Sequence, residues 1–187
     1  MASKQAVEVV VVADRSGSMA SIAADAIGGY NTFLKEQQSV KGAANLTLVL
    51  FDDKYEVAAD SVPIKDAKPL TSATFVPRGS TALNDAIGRS ISALEAKAPK
   101  KAIVCIITDG GENASREFTG ETAKAKIKAA EARGWQVVYL AANQDAFAVG
   151  GALGFNQSNI QNFAATGAGV QSAYASVSLR SSSYRGA

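Results

Sequence analysis

The sequence predicts an α/β protein with a doubly wound, mostly parallel sheet, one antiparallel edge strand and helices on both faces. Two observations lead there. Four short apolar runs, nearly continuous and rich in β-branched residues, read as strands buried on both sides. They are 7–13 "VEVVVVA", 46–51 "LTLVLF", 102–107 "AIVCII" and 136–141 "QVVYLA". Between them lie segments with apolar residues three and four apart, and this alternation of strand and helix is what a parallel sheet wound in both directions requires.

The elements follow in order. Residues 18–38 carry Ile22, Ala26, Ile27, Tyr30, Phe33 and Leu34 at helical spacing. Gly28-Gly29 weakens that helix by roughly 1 kcal/mol per glycine relative to alanine; whether close packing against the sheet offsets the loss is open at this level. "YEVAADSVPI" alternates and contains a proline, so it reads as an edge strand joined to 46–51 through the "DDK" turn. Residues 82–96 align Leu83, Ile87, Ile91 and Leu94 on one stripe, and residues 120–133 form an alanine- and lysine-rich helix stopped by Gly134. Beyond residue 142, Gly, Ala, Asn, Ser and Gln dominate. A short helix at 144–153, an edge strand near 159–163 and a last helix at 167–179 are expected there. "RSSSYRGA" reads as a frayed end, which gives one domain over residues 1–180 and a loose tail at 181–187.

Composition narrows the function. A chain of 187 residues buries a real core, and 47% hydrophobic with 19% charged residues suits an ordinary globular protein. The net charge is +2, without a run of five like charges, so neither a nucleic-acid nor a membrane-surface footprint is expected; "KAPKK" at 97–101 reads as a solvated turn. Histidine is absent, which removes imidazole bases, the usual triads and most zinc sites. The single cysteine, Cys105, lies in an apolar strand and reads as a core residue. No signal-type apolar segment and no apolar stretch approaching ~18 residues occurs, so the expectation is a cytoplasmic protein without a membrane span.

Three oxygen-rich loops stand out. "ADRSGSMAS" places Asp14, Ser16 and Ser18 at alternate positions after the first strand; "PRGSTALNDA" brings Thr81 to the opening of a helix; "ITDGGEN" puts Asp109 after the 102–107 strand. In a parallel sheet these loops emerge at one edge, where ligands of doubly wound folds bind. Two carboxylates and three hydroxyls, without nitrogen or sulfur, suit a hard cation such as Mg²⁺ that keeps a position for one more anionic oxygen. Taken singly, each has a plainer role. Ser16, Ser18 and Thr81 with Ser80 are candidate helix caps, and Asp109 before two glycines is a turn residue. Asp52 and Asp53 read as a solvated hairpin turn, and Asp85 gains from the helix dipole one turn into its helix. Arg15 and Arg78 either receive an anionic partner or lie solvated on the surface, the second being favoured.

"DRSGSM", "GSTALNDAI" and "IITDGGEN" together resemble the metal-ion-dependent adhesion site of the von Willebrand factor A (vWA) domain family: Asp-x-Ser-x-Ser, then a threonine, then an aspartate, in that order. The resemblance spans residues 6–142, and the segment after it is similar to the ending of small standalone bacterial and bacteriophage members. It implies a Rossmann-like three-layer sandwich. It also implies Mg²⁺ (or Mn²⁺) held by Ser16, Ser18 and Thr81, with Asp14 and Asp109 acting directly or through water. By the same resemblance a partner protein supplies an Asp or Glu carboxylate to the metal, Thr81 alternates between direct and water-mediated coordination, and closure shifts the last helix. Self-association, with an acidic residue of one copy on the metal of the next, is a second possibility.

The expected function is therefore a non-enzymatic, metal-dependent protein-interaction module. The alternative is a Mg²⁺-dependent hydrolase or phosphotransferase of phosphatase-like α/β fold. That chemistry needs a second aspartate two residues after the nucleophile, where this chain has Ser16, and no "GxxxxGK[ST]" loop is present for a nucleoside triphosphate.

Overall fold

The computed structural model describes residues 5–142 and 145–186. Six strands form one sheet: β1 (Val7–Asp14), β2 (Ala44–Phe51), β3 (Tyr55–Pro63), β4 (Ala102–Thr108), β5 (Gln136–Ala142) and β6 (Ile160–Phe163). Their order is β3-β2-β1-β4-β5-β6, and all neighbours are parallel except the antiparallel β2–β3 hairpin. The central strands β1 and β4 are buried along their whole length, as their nearly continuous apolar runs require, with Glu8 the one charged residue of β1 ahead of its terminal Asp14.

Strand alternation sorts the core into two layers. Val7, Val9, Val11 and Ala13 face α1 (Ala23–Ser39) and α5 (Gly167–Gly186), whose Tyr30, Phe33, Leu34, Val170 and Tyr174 complete that layer. Val10 and Val12 face the opposite side, where α2 (Leu83–Lys97), α3 (Gly120–Ala132) and α4 (Ala146–Ala152) contribute Leu83, Ile87, Ile91, Ile127 and Ala146. Trp135 seals the lower rim of this second layer and donates its indole N–H to the Pro99 carbonyl at 3.1 Å.

Several expectations need correction. The first helix starts as a 3₁₀ segment, Gly17–Ile22, before α1 begins at Ala23. The question left open at Gly28-Gly29 is answered by α5. A Cβ on Gly29 would stand 2.6 Å from Cδ2 of Tyr174, so the glycine admits α5, not a strand. The short helix covers Ala146–Ala152, while residue 144 lies outside the described residues. The tail expected to fray at 181–187 is helical through Gly186, with Arg185 buried. The Arg185 guanidinium donates to the carbonyls of Gln37, Val40 and Gly42, the end of α1 and the turn after it, and thereby anchors a segment whose serines promised little packing.

Candidate metal centre

β1 and β4 end side by side at the carboxyl edge of the sheet, in the register Ala13 with Ile107. Asp14 closes β1 and is buried. Its Oδ1 accepts from the backbone N–H of Ser16 at 2.6 Å, a local turn that folds the Asp14–Ser18 loop back over the strand end. Its Oδ2 accepts from the hydroxyl of Thr108, also at 2.6 Å. The Ser16 and Ser18 hydroxyls lie 3.1 Å apart, and Ser18 donates to Asp109 Oδ1 at 2.8 Å. On the other side, Thr81 Oγ1 and Ser18 Oγ stand 3.4 and 3.8 Å from where a Cβ on Gly110 would sit. These are ordinary contact distances, and they place the Thr81 and Ser18 hydroxyls beside the Asp109–Gly110 backbone. The structure thus brings Asp14, Ser16, Ser18, Thr81 and Asp109 to one edge.

The helix-cap roles do not describe these hydroxyls. Ser16 stands at the head of the 3₁₀ segment and makes no side-chain cap hydrogen bond. At α2 the capping position is Ala82, again without a side-chain cap. Two open N–H groups of the first turn of α2 are taken instead by the loop after β4, Asn84 N–H donating to Glu112 and Asp85 N–H to Ser115, and just before the helix Thr81 N–H donates to Asn113. Asn113 and Ala114 N–H return bonds to the Thr81 carbonyl. The loop carrying Asp109 is thereby stitched to the turn carrying Thr81.

Electrostatics single out the same point. Burial pushes the Asp14 carboxyl above its ordinary range, against the hydrogen bonds from Thr108 and Ser16, and the charge of Asp109 adds to the rise. Burial raises Asp109 in the same way, with Ser18 opposing. Neither carboxylate forms an ion pair among the described residues. Two buried acids without a cationic side chain are a poor arrangement unless an external cation joins them. The donor set of carboxylate and hydroxyl oxygens fits a hard divalent ion. Among the described residues, no group of three or more His, Cys, Asp or Glu side chains could hold a metal, so a metal held at this edge would need hydroxyl ligands as well.

Of the two arginines expected to lie solvated on the surface, Arg15 does not, while Arg78 is exposed but ion-paired. Arg15 is buried, and its Nε donates to Asp52 Oδ2 at 3.1 Å while Nη2 reaches Glu56 at 2.7 Å. Arg78 is half exposed and donates to the same Asp52 Oδ2 at 2.9 Å. Asp52 is itself fully buried, in place of the exposed turn residue the sequence suggested, whereas Asp53 beside it is exposed. Burial alone would raise the Asp52 carboxyl. The hydrogen bonds from Arg78 and the Lys54 N–H, with the charges of both arginines, hold it below its ordinary range. Sequence reading missed Asp52 and Thr108. Thr108 had a signal: it is the polar residue that ends an apolar strand directly before Asp109.

Solved structures share this arrangement of strands and helices. The vWF domain of the type V pilus tip protein Mfa5 from Porphyromonas gingivalis superposes with a TM-score of 0.67 at 12% identity, over 94% of this chain and 95% of that one. The chain has the von Willebrand factor A fold. Proximal thread matrix protein 1 of the mussel byssus, in a form with a zinc-occupied MIDAS motif, matches at TM-score 0.66 and 14% identity over 95% of this chain. The pilus adhesin SpaC of Lactobacillus rhamnosus GG matches at TM-score 0.73 and 14% identity over 97%. This vWA chain spans 46% of the mussel protein and 30% of SpaC. No protein-family model matches the chain, and no curated protein matches it in sequence. Among the described residues, no helix is long and apolar enough to cross a membrane.

Proposed function

We propose that this protein is a non-enzymatic, metal-dependent interaction module. Asp14, Ser16, Ser18, Thr81 and Asp109 hold Mg²⁺ (or Mn²⁺), and a partner protein contributes an Asp or Glu carboxylate to the ion. One observation carries the reading. Three hydroxyls and two unpaired carboxylates gather at the strand ends, and neither Ser16 nor Thr81 caps the helix that follows it. The zinc-occupied MIDAS motif of the mussel protein and the adhesin role of SpaC support it by likeness of fold.

When bound, the ion supplies an electrophilic point for one further anionic oxygen. The chain does the rest. Thr108 and the Ser16 N–H fix the Asp14 carboxylate, Ser18 fixes Asp109, and the bond network of the 112–115 loop sets the height of Thr81. The two carboxylates of Asp14 and Asp109 balance a doubly charged ion without over-neutralising it.

A calorimetric Mg²⁺ titration of the parent and of Asp14→Ala tests the assignment, with circular dichroism to confirm that both are folded. The expected result is saturable binding in the parent and none in the variant. Equal affinity in both removes the site. Metal-loaded protein is then assayed for capture of proteins in an EDTA-reversible manner and for concentration-dependent self-association. Capture of an acidic partner supports the module, and EDTA-sensitive self-association makes a second copy the partner.

A further inference from the structure

Asp52 touches two of the three segments that frame the metal site, the Asp14–Ser18 loop and the Thr81 turn, although it is absent from the site itself. Its Oδ2 accepts from Arg15, which lies between Asp14 and Ser16, and from Arg78, three residues before Thr81. Its backbone carbonyl accepts from Ala82 N–H at 2.8 Å, directly after Thr81. Its Oδ1 accepts from Lys54 N–H at 2.7 Å and closes the hairpin turn on which it sits. Around it the two metal-bearing segments are bonded to each other: Arg78 N–H donates to the Arg15 carbonyl at 2.9 Å, and Gly17 N–H to the Gly79 carbonyl at 3.1 Å. Gly79 adopts φ +66°, a left-handed backbone that favours glycine, and lies against the Asp53 side chain, so the Thr81 turn packs directly on the hairpin.

We propose that Asp52 is a positioning residue of the metal site: its one buried carboxylate holds Arg15 and Arg78 together, so that the Ser16–Ser18 loop and the Thr81 turn keep a fixed separation. The same contact keeps the Arg15 guanidinium turned away from the cation, toward Asp52 and Glu56. This inference rests on the metal reading above for its effect on affinity, but not for its effect on the loops. A side chain bonded directly to a ligand commonly shifts metal affinity by roughly 10–100-fold; Asp52 acts one step further out, through Arg15 and Arg78, so the lower end of that range is expected.

The test compares the parent with Asp52→Asn, Arg78→Gln and the double variant Arg15→Gln with Asp52→Asn. Mg²⁺ affinity is measured by calorimetry at low and high salt, cooperative melting by circular dichroism, and amide exchange of Gly17 and Arg78 in the metal-free protein. Asp52→Asn is expected to lose about tenfold in affinity and to accelerate exchange at both amides while melting stays cooperative. The double variant is expected to regain part of that affinity, because the guanidinium, left on Glu56 alone in Asp52→Asn, is gone, and the regained part is expected to shrink in high salt. A merely structural role would show neither the rescue nor its salt dependence. Should Asp52→Asn fail to fold, Arg78→Gln, at a half-exposed position, carries the test with a smaller loss in the same direction. Unchanged affinity and unchanged exchange overturn the proposal. If the parent itself binds no Mg²⁺, the metal reading falls, and exchange alone decides whether Asp52 holds the loops.

Discussion

The Thr108 hydroxyl donates to Asp14 Oδ2 at 2.6 Å across the junction of β1 and β4. The same hydroxyl accepts from Gly110 N–H at 3.2 Å, so one threonine joins the first aspartate of the site to the loop bearing the second. Thr108→Val keeps the shape and removes both functions. Metal affinity is expected to fall by about tenfold, as for other groups that orient a ligand. Folding stability is expected to fall by about 1–2 kcal/mol, because Asp14 Oδ2 and Gly110 N–H lose a buried partner. Calorimetry and urea unfolding measure the two separately, and an unaltered Mg²⁺ affinity would show that Thr108 only supports the strand end.

The fold was legible because β1, β2, β4 and β5 are buried on both faces, and burial writes itself into sequence as continuous β-branched runs. That the five proposed ligands share one edge was legible because each follows a strand end or precedes a helix there, where topology alone brings them together. Asp52 and Arg15 were not legible. Charged residues beside a turn signal are ordinarily solvated, and only the tertiary pairing of Arg15 and Arg78 on one carboxylate makes burial of Asp52 tolerable. The tail was misread for a similar reason. Serines and arginine carry no apolar period, and the partners of Arg185 are carbonyls more than 140 residues away, which no local pattern announces.

Gly29 shows how a helix-weakening residue can raise stability. Alanine would favour the helix by about 1 kcal/mol, but its Cβ would press on the Tyr174 ring, which also meets Tyr30 edge-on at 6.3 Å between centroids. Overpacking of this kind costs about 1–3 kcal/mol. Gly29→Ala is therefore expected to lower stability by up to about 2 kcal/mol, whereas Gly28→Ala, whose Cβ would meet only the end of Gln171 at 3.4 Å, is expected to be neutral or stabilising. Denaturant midpoints for the pair decide it; a stabilising Gly29→Ala would mean that α1 and α5 are less closely packed than described.

Asp85 gives a pH dependence whose sign can be worked out. Burial alone would raise its carboxyl, but the N–H groups of Arg116, Phe118 and Glu117, with the charge of Arg89, hold it below the ordinary value. A group depressed on folding contributes stability above its unfolded pKa, near ~4, and loses it as pH falls through the folded value. The parent is expected to lose stability from about pH 5 downward more steeply than Asp85→Asn. At pH 7 the variant is expected to be less stable by about 1–2 kcal/mol, since an amide is the weaker acceptor. Thermal melts at pH 7, 5, 4 and 3 read this difference. Parallel pH profiles would deny Asp85 its role in pinning the 116–118 segment.

Arg185 tests the packing of the end of α5. Its guanidinium is buried, faces carbonyl oxygens and not a carboxylate, and is lowered from its ordinary pKa by that burial. Two opposing quantities set its worth. Desolvating the charge is costly, yet hydrogen bonds from a charged donor are worth ~1.5–3 kcal/mol, and four of them reach Gln37 O, Gln37 Oε1, Val40 O and Gly42 O at 2.8–3.1 Å. Without the arginine, the carbonyls at the end of α1 would have to find water beneath α5. Arg185→Met retains the length and apolar body of the side chain and removes only the donors, so it is expected to lose about 1–3 kcal/mol, or a few degrees in melting temperature for a chain of this size. Amide exchange should then quicken along residues 178–186 and at Val40, while Mg²⁺ affinity at the opposite edge of the sheet stays at the parent value. A melt indistinguishable from the parent, with exchange along 181–186 already fast in both, would mean that this segment frays in solution as its composition suggests.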